Sequence, residues 1–146
     1  MTIFWHLLYM FAVNALGSAA MCVIYHAPVR SMPFSAIVGG LTYVIYCVLA
    51  EYFNLTIQGY FLATIFLSIS SELAARKLKM PATVFITPAI IPLVPGYPLY
   101  QTMLAIAQND MAAAGVVGWK AVWSIGVMAV ALAIGPLFFR RHDRKK

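Results

Sequence analysis

The residues best placed to do chemistry lie in the segment TPAIIPLVPGYPLYQT, residues 87–102. Pro88, Pro92, Pro95 and Pro98, with Gly96 among them, interrupt a stretch otherwise apolar enough to cross a membrane. Each proline removes a backbone donor and clashes with the carbonyl four residues earlier. The carbonyls of Val84, Pro88, Ile91 and Val94 therefore lose their helical partners. The residue before each proline is turned toward extended backbone, and Gly96 is free to adopt the positive φ of a sharp reversal. This pattern predicts two half-helices, about 82–91 and 98–108, with a break near 92–97.

Such a joint frees donors as well as acceptors. With Pro98 near the first position of the second half-helix, the amides of Leu99, Tyr100 and Gln101 are expected to stay unpaired. Those donors and the helix dipole favour an anion such as a carboxylate. The side chains of Tyr100, Gln101 and Thr102 add hydrogen bonds in the same turn. Non-helical backbone at membrane depth is tolerated only where it is buried in protein or lines a wet cavity. Broken helices near the midplane form the substrate sites of many secondary transporters. Residues Pro88, Pro92, Pro95, Gly96, Pro98, Leu99, Tyr100, Gln101 and Thr102 are accordingly expected to border a substrate pathway. The competing reading is a kink that only shapes packing. One proline would suit the kink; four with a glycine favour the site.

A second pair stands at the end of the third apolar run. Glu72 and Arg76 are four residues apart, so on a helix they share a face and can pair. A carboxylate at the edge of hydrocarbon is costly unless paired or hydrated. Glu72 is either a carrier of a coupling proton or half of a boundary ion pair with Arg76, and both readings stay open. Enzyme chemistry fits poorly. No Ser/His/Asp or Cys/His set shares a site, and neither metal-ligand spacing nor a phosphate-binding glycine loop appears, so no cofactor is expected. Cys22 and Cys47 read as small apolar packing residues, and His6, His26 and His142 as interfacial ones.

These residues sit in a chain that only a membrane accommodates. Of 146 residues, 63% are hydrophobic and 10% charged, against about 25% charged in a soluble chain. Five apolar runs, about 3–25, 34–50, 55–73, 82–108 and 119–139, each approach the ~20 residues a helix needs to span hydrocarbon. They lack the alternation of a barrel. The expectation is an all-α integral membrane protein of five transmembrane helices, the fourth broken, forming one membrane domain over 1–146. With five crossings, nine of the ten basic residues fall on one side: Arg30, Arg76, Lys77, Lys79 and the five in the tail 140–146. The positive-inside rule makes that side cytoplasmic. The N-terminus is then outside and the C-terminus inside, with Lys120 alone opposite, beside the interfacial Trp119 and Trp123. The tail suits anionic lipid better than nucleic acid. Small residues in the first two runs, among them Gly39 and Gly40, suit close helix packing. Tyr43 and Tyr46 read equally as core aromatics or as cavity-lining hydroxyls. The turn at Asn109–Gly118 reads as the longest outer connection.

The stretch ELAARKLKMPATVF, followed by PAIIPLVPGYPLYQTM, resembles the small-subunit type of the bacterial threonine/serine exporter family. It is also similar to the C-terminal membrane half of single-chain members. The specific part is Pro92-Leu-Val-Pro95-Gly96 with the upstream Pro81-Ala-Thr-Val-Phe85. The resemblance implies secondary export of small carboxylate-bearing metabolites across the bacterial inner membrane. The named substrates are threonine and serine, with dicarboxylates such as succinate in the split-subunit form. It also implies a larger five-helix membrane subunit as partner. Two alternatives remain: a nontransporting assembly subunit whose break receives a partner helix, and a small homo-oligomeric channel.

Overall fold

The structure, a computed structural model, describes residues 2–143, and the side chains of 3–137. The basic tail at 140–146 therefore lies outside the described side chains. Among the described residues there are six α-helices: α1 (Thr2–Ile24), α2 (Met32–Cys47), α3 (Thr56–Leu78), α4 (Thr83–Ile90), α5 (Gly96–Ala107) and α6 (Met111–Asp143). No strand occurs among the described residues. Without water to bond the backbone, apolar runs of this length have helix as their one self-sufficient conformation.

The connections are short because the helix ends close themselves. His26, Asn54, Lys79 and Asn109 all take left-handed backbone, with φ between 51° and 59°. After α1, Ala27 N–H donates to the Cys22 carbonyl at 2.9 Å; after α5, Asp110 N–H donates to the Ala105 carbonyl at 2.9 Å. Such closures satisfy terminal carbonyls that would otherwise stay bare. The expected outer loop at 109–118 is therefore only a tight turn, and α6 starts at Met111 rather than near 119. Asp110 explains the early start: its Oδ1 accepts the Ala113 N–H at 3.0 Å, an N-terminal cap, and the alanines that follow are strong helix formers. At the other end of the bundle, α3 runs to Leu78 rather than 73, with Arg76 and Lys77 in its last turn facing the negative end of the dipole. A wide π turn, Val48–Tyr52, ends α2. There Glu51 lies 3.9 Å from His6 and accepts the Cys47 thiol at 3.6 Å.

Four helices are long and apolar enough to cross a bilayer, and the pair Thr83–Leu93 with Gly96–Ala107, bent by 53°, makes a fifth if it is one span. The packing of α3 on α6 decides that question. Tyr60 of α3 shares a core cluster with Met128 of α6, while Ser68, eight residues on, meets Leu132 and Gly135. The register advances in the same direction on both helices, so α3 and α6 run parallel. The chain between them must return across the membrane once, and α4 with α5 forms that crossing. Within the crossing the halves have different neighbours: α4 packs against α1, α2 and α3, whereas α5 packs against α6.

The α3–α6 contact also solves a backbone problem. Pro136 lies inside α6 and leaves the Leu132 carbonyl without its helical N–H. The Ser68 hydroxyl donates to that carbonyl at 3.2 Å. Gly135 makes the approach possible, since a Cβ there would run into the Ser68 hydroxyl. Gly39 does the same for α1 and α2, where a Cβ would strike Ser18. A serine and a glycine at each contact let the backbones close up, as membrane helices require.

A double-mutant cycle tests this account of α6. Ser68→Ala should destabilise the protein by about 1 kcal/mol, the usual worth of one such bond. In a Pro136→Ala background the same change should cost almost nothing, because residue 136 then supplies its own N–H to Leu132. Unfolding in detergent measures both; equal costs in the two backgrounds would rule the compensation out.

Candidate functional site

The break in the fourth crossing is narrower than the prolines suggest. Pro88 stays inside α4, and Pro92 enters a single 3-10 turn, Ile91–Leu93. Only Val94 and Pro95 leave helical geometry. Val94 is extended, at φ −54° and ψ 133°, as the residue before a proline should be. Pro95, at φ −72° and ψ 66°, has the dihedrals of an inverse γ-turn. Two short bonds close the joint: Val94 N–H donates to Ile91 O at 3.2 Å, and Gly96 N–H to Val94 O at 2.7 Å. Two of the carbonyls freed by proline thus recover a donor locally. Gly96 does not use positive φ; no glycine among the described residues does. The γ-turn at Pro95 already provides the change of direction.

Helix α5 begins at Gly96, two residues before the start expected from Pro98. Pro98 then occupies the third helical position, still in the first turn, where its missing N–H costs nothing. This shifts the available donors. Leu99 N–H bonds Pro95 O at 3.3 Å, and the amides of Tyr100 and Gln101 enter the regular i to i−4 ladder of α5. The amide left without a backbone acceptor is that of Tyr97.

Beside the break lies a cavity of about 640 Å³. One wall is the segment Pro92–Pro98; the others come from α2 (Tyr43, Tyr46), from the α2–α3 turn and the start of α3 (Asn54, Thr56, Ile57, Gln58, Tyr60), and from α6 (Lys120, Ser124). The tyrosines form a continuous aromatic side. Ring centroids of Tyr46 and Tyr60 are 4.3 Å apart, and those of Tyr43 and Tyr46 are 5.8 Å apart. Gly96 keeps the opposite wall open, for a Cβ there would meet nothing within 4 Å. Among the lining residues no aspartate or glutamate occurs, and Lys120 carries the one formal charge. Phenol hydroxyls, two side-chain amides, the Tyr97 N–H at the positive end of α5 and a lysine together suit a small anion or a polar solute. Among the described residues no group of three His, Cys, Asp or Glu side chains is placed to hold a metal.

The expected site residues divide into two groups. Pro92, Pro95, Gly96 and Pro98 line the cavity. Pro88 is buried within the bundle, and Leu99 and Tyr100 lie on the exposed side of α5. Gln101 donates through Nε2 to the Tyr97 hydroxyl at 2.7 Å, along the outside of the helix. The Thr102 hydroxyl returns to the Pro98 carbonyl at 2.7 Å, and its methyl sits where a Cβ on Gly118 would come within 3.1 Å. Thr102 thus serves the α5–α6 contact. Glu72 lies twelve residues beyond Tyr60 on α3, about 18 Å along the helix at about 1.5 Å per residue. It is half-buried near the opposite end of the bundle, with Arg76 exposed one turn later. The cavity and this pair are separate features.

The tyrosines and Lys120 are what sequence reasoning placed least well. Tyr43 and Tyr46 read equally as core aromatics or cavity-lining hydroxyls, and the structure places both on the cavity wall. Lys120 reads as an interface anchor because Trp119 and Trp123 flank it, yet its four-residue spacing from Ser124 marks a shared face. The two tryptophans, packed edge to face at 5.7 Å, are both exposed. Tyr60 carries no local signal at all.

A protein-family model described as "Threonine/Serine exporter, ThrE" matches residues 10–138, a span that includes every residue lining the cavity. No solved structure matches the chain.

Thiol labelling tests the geometry of this space. With Cys22 and Cys47 replaced by alanine, a cysteine at Gly96 should react with a polar methanethiosulfonate at least about tenfold faster than one at buried Ala89, since the reactive form is the solvated thiolate. Equal rates would mean that the cavity is closed to water.

Proposed function

Because the chain belongs to the threonine/serine exporter family, we propose that it is the small membrane subunit of a two-component secondary exporter of carboxylate-bearing metabolites, either threonine and serine or dicarboxylates such as succinate. The family match supports transport as the role. The finer reading rests on one observation: the cavity at the proline break has a single formal charge on its walls, and that charge is positive. A carboxylate is the group common to both substrate classes. In a space walled by protein and lipid, a lysine and an unpaired amide attract it more strongly than they would in water.

Orientation follows from the basic residues. Arg30, Arg76, Lys77 and Lys79 lie at the connections remote from Lys120, so the positive-inside rule puts them in the cytoplasm of a bacterial cell, at the inner membrane. The cavity, bordered by the α2–α3 turn, then faces the exterior. Export requires a second, inward-facing state. The joint at Val94 and Pro95 is the natural hinge, because α4 is held by three helices while α5 is held chiefly by α6. A larger five-helix subunit packed along the exposed apolar side of α5 would give α5 something to move against. That side carries Leu99, Tyr100, Met103 and Ile106.

Export assays with each subunit alone and with both together test the two-component reading; full export by this chain alone would end it. Reporter fusions at Lys146 and at Asn109 should give opposite orientations, with Lys146 cytoplasmic. Pro95→Ala combined with Gly96→Ala should favour a continuous helix and lower export about tenfold or more, equivalent to about 1.4 kcal/mol, with insertion unchanged. Undiminished export by that variant would return the prolines to a packing role.

A further inference from the structure

Lys120 is placed as a working part of the cavity rather than as a membrane anchor. A lysine that only fixes helix depth reaches along its stem to the headgroups, usually beside interfacial aromatics. Trp119 and Trp123 fill that role on the exposed side of α6. Lys120, exposed as they are, also lines the cavity with Ser124 and the tyrosines. It has no ion-pair partner among the described residues. Ser124 does not occupy it either, since the Ser124 hydroxyl donates to the Lys120 backbone carbonyl at 2.9 Å. Lys120 is exposed and the cavity is open on one side, so its ammonium stays hydrated; with no acidic residue on the walls it leaves the cavity with a positive charge that an anionic solute can meet.

We infer that Lys120 is the charge-selecting residue of this exporter: its ammonium holds the anionic group of the solute in the cavity at the break. The inference rests on the cavity being the pathway. It adds a ranking that the cavity alone does not provide. At equal size, a solute of net negative charge should be held better than a zwitterion, and a zwitterion better than a cation. The carboxylate meets Lys120, while an ammonium meets only neutral oxygens and tyrosine rings.

The test separates the charge of the cavity from the handling of substrate. In the assembled complex, lacking Cys22 and Cys47 and carrying Gly96→Cys, labelling rates are compared for a sulfonate-bearing and a trimethylammonium-bearing methanethiosulfonate of similar size. With Lys120 present the anionic reagent should be favoured by at least about tenfold, a margin that one charge about 10 Å away exceeds even at an effective dielectric of about 40. Lys120→Gln should remove that preference, Lys120→Glu should reverse it and Lys120→Arg should keep it. In the complex without the added cysteine, Lys120→Gln should raise the KM for export at least tenfold, and Lys120→Arg should restore most of it, with rates normalised to subunit present in the membrane. A rate ratio indifferent to Lys120→Gln overturns the inference and leaves the residue an anchor. A ratio that changes while export keeps its KM also overturns it, since the charge would then face the cavity without holding substrate. If Gly96→Cys reacts with neither reagent, the reading of the cavity as the pathway falls, and this inference with it.

Discussion

A backbone carbonyl or amide inside hydrocarbon must have a protein partner, and prolines in membrane helices take partners away. Each bare group would cost several kcal/mol, more than any single packing contact returns. The structure meets this constraint differently at its two proline sites. In α6 the Leu132 carbonyl is bonded from outside the helix, by Ser68 of α3, and Gly135 permits the approach. In the fourth crossing the chain mends itself: Val94 and Gly96 donate back within the joint, and a γ-turn at Pro95 absorbs the change of direction. The first solution ties two helices together. The second leaves the joint independent of its neighbours.

That difference shapes the whole bundle. Ser68 and Gly135 hold α3 parallel to α6, which fits α4 and α5 forming a single crossing, the fifth of the candidate spans. The self-contained joint lets the two halves of that crossing belong to different groups of helices. The first half is buried among α1, α2 and α3; the second follows α6. A cavity opens where the groups diverge. Its walls come from the break, from the end of α2, from the start of α3 and from α6. A motion of α5 about the joint would change its shape and leave intact the Ser68–Leu132 bond that ties α3 to α6.

Electrostatics runs along the same axis. The basic residues at the α1–α2 and α3–α4 connections lie at one end of the bundle, and Glu72 and Arg76 stand near that end. The cavity and Lys120 lie toward the other. No acidic residue lies on the cavity's walls, so one lysine sets its sign. Gly96 contributes by what it omits: it needs neither positive φ nor room for a neighbouring side chain, and its bare Cα leaves the space open.

The sequence by itself determined the class of the protein and the place where it departs from regular helix. Apolar runs of about 20 residues have one stable conformation in lipid, and proline forbids its continuation wherever it stands, so five crossings with a broken fourth were legible without coordinates. The family was legible too, in the residues around that break. The boundaries were less so: α6 begins eight residues early because Asp110 caps it, and α5 begins two residues early because a proline in the first helical turn is harmless. Those are local effects that hydropathy does not weigh. Only the tertiary structure decided which side chains share the cavity. Lys120, Tyr43, Tyr46 and Tyr60 come from three helices, and their meeting depends on helix rotation and register set by glycine and serine contacts far from the break. Hydropathy records how deep a residue lies in the membrane and nothing about which way it faces, and that is why Lys120 read as an anchor until α6 was placed beside α3.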